Sequence, residues 1–147
     1  MGKPVTPLVG ADTFVIDEEQ RVCLVQRSDN NLWALPGGCQ NLGETPKHCA
    51  EREFLEETGY RIETTHLLGV FSSTLYEYEA YPYKDNEFCH LLFFGRLLGG
   101  SEMASEETIS VGWFCEDDLP RTSDGHDIRI RFGFKWVKNR DIPPHYE

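Results

Sequence analysis

Basic residues are scarce in this chain: 14 Lys and Arg stand against 25 Asp and Glu, a formal charge of −11 over 147 residues. Sequence-independent binding to duplex nucleic acid or to an anionic membrane surface needs a basic face, so neither partner is expected. Zinc and redox spacings are missing too. The five cysteines, Cys23, Cys39, Cys49, Cys89 and Cys115, are odd in number and form no C-x-x-C. They give no disulfide framework and are expected as reduced thiols of a cytoplasmic protein, small core residues rather than nucleophiles. Met1 to Pro7 holds one lysine and no apolar run, unlike a signal peptide. No stretch approaches the roughly 20 apolar residues of a membrane span. Linkers, repeats and low-complexity tracts are absent, and the length suits one domain over residues 1–147.

What is present suffices for a core: 39% hydrophobic and 12% aromatic residues. Val9 to Ile16 is β-branched and apolar, and Arg21 to Arg27 alternates; the polar "DEEQ" between them predicts a hairpin. "RSDNNLWALPGG" reads as a loop closed by a proline–glycine breaker. Thr45 followed by Pro46 is a helix start, with the stop at Gly59. Ile62 to Thr74, Glu87 to Leu98 and "TISVGWF" read as strands. Beyond them, Ile128, Ile130, Phe132, Phe134 and Trp136 alternate as in a strand. The same segment read as a helix gives a basic face of Arg131, Lys135 and Lys138 and an apolar stripe of Ile128, Phe132 and Trp136. The polar "TSDGHD" before it and Pro143 after it favour a helix over 127–139. The whole order predicts an α+β sandwich around a mixed sheet.

One stretch resists a purely structural reading. Glu53, Glu56 and Glu57 share a face of the predicted helix, within an arc of roughly 100°. Like charges at these spacings cost about 0.2–0.5 kcal/mol per pair, and the helix dipole disfavours them in its C-terminal half. A divalent cation reverses the sign of each effect, and hard cations such as Mg²⁺ and Mn²⁺ prefer carboxylate oxygens. Arg52 can hold one carboxylate by a two-pronged contact. Gly37 and Gly38 let the backbone come close to a ligand or metal.

The pattern Gly38, five residues, Glu44, seven residues, then Arg52-Glu53-Phe54-Leu55-Glu56-Glu57-Thr58-Gly59-Tyr60 resembles the complete Nudix box of MutT-like hydrolases. The preceding "LWALPGG" is similar to that family's lead-in. The resemblance implies a Nudix-type α/β/α sandwich and hydrolysis of a phosphoanhydride in a nucleoside diphosphate linked to another moiety. It implies Mg²⁺ or Mn²⁺ as cofactor, with Glu53, Glu56, Glu57, the Gly37 carbonyl and Glu107 (or Glu106) as metal-side groups. Glu53 is its general base and Arg52 the residue that orients it. Gly38, Glu44 and Gly59 are structural positions of the box.

Substrate choice is less legible. Trp33 and Tyr76 are candidates to stack on a base. A broad nucleoside-diphosphate-linked substrate, such as a nucleotide sugar or ADP-ribose, is the expected one. The alternatives are a house-cleaning pyrophosphohydrolase for nucleoside triphosphates, a dinucleoside polyphosphate hydrolase suggested by Tyr76, and a non-catalytic nucleotide-binding module. Such modules usually lose box carboxylates, and this chain keeps them. The expected partner is a small nucleotide, and a homodimer is compatible with the sequence. The five histidines, His48, His66, His90, His126 and His145, show no ligand spacing and are read as structural or surface residues.

Overall fold

The computed structural model describes residues 7–72 and 87–147. Its strands are β1 (Leu8–Phe14), β2 (Val22–Arg27), β3 (Trp33–Ala34), β4 (Gly37–Cys39), β5 (Tyr60–Ser72), β6 (Phe88–Gly100) and β7 (Thr108–Phe114). Its helices are α1 (Pro46–Thr58) and α2 (His126–Lys138). The strands form a four-stranded sheet in the order β4-β1-β6-β5 and a three-stranded sheet in the order β3-β2-β7. The larger sheet is mixed: β1 runs parallel to β6, while β4 and β5 are antiparallel to their neighbours.

The expected hairpin of the first two strands does not form as a ladder. Only Ile16 and Val22 bridge across the "DEEQ" turn, and the Cys23 N–H donates to the Val15 carbonyl at 3.0 Å. The chain then crosses to the other sheet, where β2 pairs along its length with β7. A polar turn fixes a reversal of direction; the partner is chosen by which sheet buries Val22, Leu24 and their neighbours.

Strand β1 shows how the two helices find opposite faces. With a side-chain period of two, Ala11 packs with Cys49 and Ala50 of α1, while Phe14 meets Phe134 of α2 edge-on at 5.0 Å. On the α1 side Phe54 packs with Val15, Val25, Ile62 and Val111. On the α2 side Leu24, Leu68, Phe71, Leu92, Ile130 and Trp136 join Phe14 in the main cluster.

Helix α1 has the predicted caps. Thr45 Oγ1 accepts from the His48 N–H at 3.1 Å, Pro46 opens the first turn, and Gly59 closes it at φ 83° with its N–H donating to Leu55 O. A Cβ at Gly59 would lie 2.2 Å from the Ser101 carbonyl, so conformation and space both require glycine there. Residues 126–138 are helix, resolving the ambiguity of the alternating segment. Two details differ from expectation. No side chain caps the start of α2; Gly125 takes φ 79° and the His126 N–H donates to the Ser123 carbonyl. The buried side is His126, Arg129, Ile130, Gly133, Phe134 and Trp136, whereas Ile128 is exposed. The stripe is rotated because polar His126 and Arg129 are drawn inward. Arg131, Lys135 and Lys138 do face solvent.

Candidate active site

A cleft of about 400 Å³ opens between the two sheets. Its walls include Asp12 of β1, Arg27 at the end of β2, Gly37 to Cys39 of β4, Glu53 and Glu57 of α1, Phe88 and His90 of β6, and Glu107 before β7. Helix periodicity sends Ala50, Phe54 and Thr58 into the core, and Glu53 and Glu57, one turn apart, emerge beside β4.

Arg52 organises the carboxylates. Its Nε lies 2.6 Å from Glu44 Oε2 and its Nη2 lies 3.0 Å from Glu44 Oε1, a two-pronged pair. Its Nη1 reaches Glu53 Oε1 at 3.0 Å and Glu56 Oε2 at 3.1 Å. The guanidinium pulls the Glu44 carboxyl down to about 2. Glu44 thus anchors Arg52, and Arg52 fixes the Glu53 side chain.

Burial raises the Glu53 carboxyl above its ordinary range, against the pull of Arg52, with Glu56 and Glu107 adding repulsion. Glu57 is raised further, by burial first and then by Glu53 and Asp12, although the Gly37 N–H donates to it. Asp12 is raised by burial, against the attraction of Arg129. The glycines make this crowding possible. A Cβ on Gly38 would stand 2.5 Å from the Glu53 carboxyl carbon, and one on Gly37 would stand 2.2 Å from Asp12 Oδ1.

The cleft therefore brings together Gly37, Gly38, Glu53, Glu57 and Glu107. Glu56 lies on the rim, exposed and paired with Arg52. Trp33 does not line this cleft and packs edge-on against Phe114 at 4.9 Å. Tyr76, and the loop containing it, lie outside the described residues. Among the described residues no three His, Cys, Asp or Glu side chains already converge as a metal cluster. Still, the donors fit a hard divalent cation: all are oxygens, and Glu57 is repelled by both Glu53 and Asp12.

Sequence reasoning missed the floor of the cleft. Asp12 forms a buried ion pair with Arg129, Oδ2 to Nε at 3.0 Å, and His126 and His90 stand beside it. Asp12 was the one acid in an apolar β-run, the only signal for this cluster. Not every cysteine is core, either: Cys23 and Cys49 are buried, but Cys39 and Cys115 are exposed because both sit at strand ends.

Comparison with known proteins agrees with this geometry. The NUDIX domain model matches residues 6–132. A Bacillus subtilis (strain 168) protein provisionally named an 8-oxo-dGTP diphosphatase is 38% identical over 112 residues, covering 76% of this chain and 68% of that protein. The ADP-ribose pyrophosphatase of Methanocaldococcus jannaschii is 29% identical over 135 residues, covering 88% and 75%. The crystal structure of a UDP-X diphosphatase superposes with a TM-score of 0.85 at 24% identity, over 99% of this chain and 70% of that one, a likeness of fold alone. No helix among the described residues is long and apolar enough to cross a membrane. Box, fold and family match lead to one conclusion: the chain belongs to the Nudix hydrolases.

Proposed function

We propose that the protein hydrolyses a phosphoanhydride bond in a nucleoside diphosphate linked to another group, of the nucleotide-sugar or ADP-ribose type. The observation that carries the reading is the single cleft holding Glu53, Glu57, Glu107, Gly37 and Gly38. Its acidic wall suits a diphosphate with a divalent cation between them, and Val25, Leu35 and Phe88 give it apolar surface for the rest of a nucleotide. A bound Mg²⁺ or Mn²⁺ would neutralise phosphate charge and supply Lewis acidity. Glu53, Glu57, Glu107 and the Gly37 carbonyl are the groups to hold it, with Glu56 joining if it leaves Arg52. Glu53 takes the proton from the attacking water. Arg52 keeps its carboxylate aimed into the cleft.

A second reading is hydrolysis of a nucleoside triphosphate, favoured by the Bacillus subtilis relative. The deciding experiment is a panel of ADP-ribose, nucleotide sugars, dinucleoside polyphosphates and nucleoside triphosphates with Mg²⁺, with Mn²⁺ and with chelator, products identified by mass. The proposal expects a nucleoside monophosphate and a phosphorylated partner from the diphosphate-linked compounds. Release of pyrophosphate from triphosphates alone would replace it with the second reading. Binding of nucleotides with no turnover under any metal would identify a binding module.

A further inference from the structure

The charged side chains of the cleft wall are almost all acidic. Asp12, Asp29, Glu53, Glu57 and Glu107 line it, and Arg27 is the only Lys or Arg among the described residues that do. Arg129 adds no usable charge, since it is buried and paired with Asp12. Strand β2 aims Arg27 at the carboxylates. Val25 packs in one cluster with Phe54 of α1, and Arg27, two residues on, shares its face of the strand. Glu57 follows Phe54 by three residues on α1. Arg27 is accordingly close enough to Glu57 and to Asp12 to favour their charged forms. A bulge sits at this point: Gln26 faces Ser110 and Arg27 faces Thr108, leaving Ile109 over. Bulges beside sites serve to re-aim a side chain.

Arg27 is already engaged. Its Nε lies 2.9 Å from Asp29 Oδ1 and its Nη2 lies 2.6 Å from Asp29 Oδ2, a two-pronged contact. A guanidinium holds a phosphate by the same fork. The pair spans two residues, and its side chains are 29% and 46% accessible. Pairs this open to water contribute little to stability and are cheap to exchange. Exchange does not strand Asp29, because the backbone N–H groups of Asp29 and Asn30 also favour its charged form.

We propose that Asp29 is an internal stand-in for phosphate: its carboxylate holds Arg27 in the cleft of the ligand-free protein, and a phosphate of the substrate displaces it and takes over the fork. The inference rests on the phosphoanhydride reading above and adds to it the group that competes with the substrate. Charge sets the direction of exchange. A phosphate carries more negative charge than a carboxylate and as many acceptor oxygens as the fork needs. Its arrival also moves one carboxylate off the only cation of the wall. Asp29 therefore lowers the affinity for phosphate rather than adding to it, and Arg27 raises it.

The test uses methylenediphosphonate, a diphosphate whose carbon bridge resists hydrolysis, and measures its binding by titration calorimetry in Mg²⁺. Asp29→Asn should tighten binding by up to about 5-fold, in keeping with the modest worth of an exposed pair. Arg27→Gln should weaken it by about 10-fold or more, the usual scale of a hydrogen bond to a charged group. Arg27→Lys, which keeps the charge and loses the fork, should fall between the two. The double variant separates exchange from plain repulsion. If Asp29 acts by occupying Arg27, then Asp29→Asn has no effect once Arg27 is replaced by Gln. Weaker or unchanged binding in Asp29→Asn would overturn the proposal. So would an equal gain with and without Arg27, or a wild-type protein that does not bind the diphosphonate. For ADP-ribose, kcat/KM should move in the same directions as the affinities. If no nucleotide of the panel above is hydrolysed, the proposed function falls, and the calorimetry still decides whether Asp29 is exchanged for phosphate.

Discussion

Glu53 is held by protein rather than by solvent, and that decides what its substitution should do. Arg52 Nη1 sits 3.0 Å from its Oε1, and burial raises its pKa. Glu53→Gln keeps the size and the contact with Arg52 but removes a charge that Glu56 and Glu107 repel. Expected are loss of most turnover, by about 100-fold or more if Glu53 is the base, and apo-protein stability equal to or slightly above wild type. Enzyme assay and urea denaturation on one preparation check both; near-normal turnover would move the base to Glu107. Gly38 gives a separate test of the same geometry. Gly38→Ala places a methyl where the Glu53 carboxyl now stands, 2.5 Å from its carbon. The carboxyl must swing away, and a displacement near 1 Å can cost about 100-fold in rate. The expected signature is a fall in kcat with a small change in melting temperature. Loss of both together would mean that the strand itself had shifted.

Elements differ in how far the sequence prescribes them. Helix α1 was legible to within a residue at both ends because its signals are local: Thr45 and Pro46 at one end, Gly59 at the other. Thr45→Ala should therefore cost about 1 kcal/mol, the usual worth of a side-chain N-cap, with little effect on KM. Matched denaturation and kinetic runs check this, and a large rise in KM would show that the start of α1 contributes to the site. The box carboxylates were legible for the same reason, since they lie on this one helix. The sheets were not. Whether β1 pairs with β2 depends on contacts with β6 and β7, which lie far along the chain. The floor of the cleft was hidden by the same long-range assembly. Asp12, His90, His126 and Arg129 come from β1, β6 and α2, and no spacing rule joins them. In the sequence, Arg129 looks like the polar half of an alternation; in the fold it is 1% exposed because Asp12 waits beneath α2.

Across the whole molecule, buried neutral histidines should govern acid sensitivity. His90 is 2% exposed, and burial, aided by Arg129, lowers its pKa to about 3; His126 is lowered for the same two reasons and by His90 itself. In the unfolded chain a histidine titrates near its ordinary 6.5. Below that pH the unfolded state takes up protons that the native state refuses, so each group's contribution is complete at neutral pH and declines as pH falls from 6.5 through the native value. The slope approaches about 1.4 kcal/mol per pH unit for each such group. Carboxylates titrate in the same window with mixed signs, Glu53 and Glu57 among them, both raised by burial. Glu44, held low by Arg52, adds to the acid loss, while Asp12, raised by burial, opposes it. Total stability against pH therefore mixes several groups, and a difference isolates one. His90→Gln removes a titrating ring and keeps a polar side chain. Urea denaturation of wild type and variant at pH 7, 6 and 5 should show the gap between them changing by roughly 1 kcal/mol per unit below 6, with the wild type losing more. Parallel curves would mean that His90 protonates within the native fold, and that the floor of the cleft admits water and charge more readily than its packing indicates.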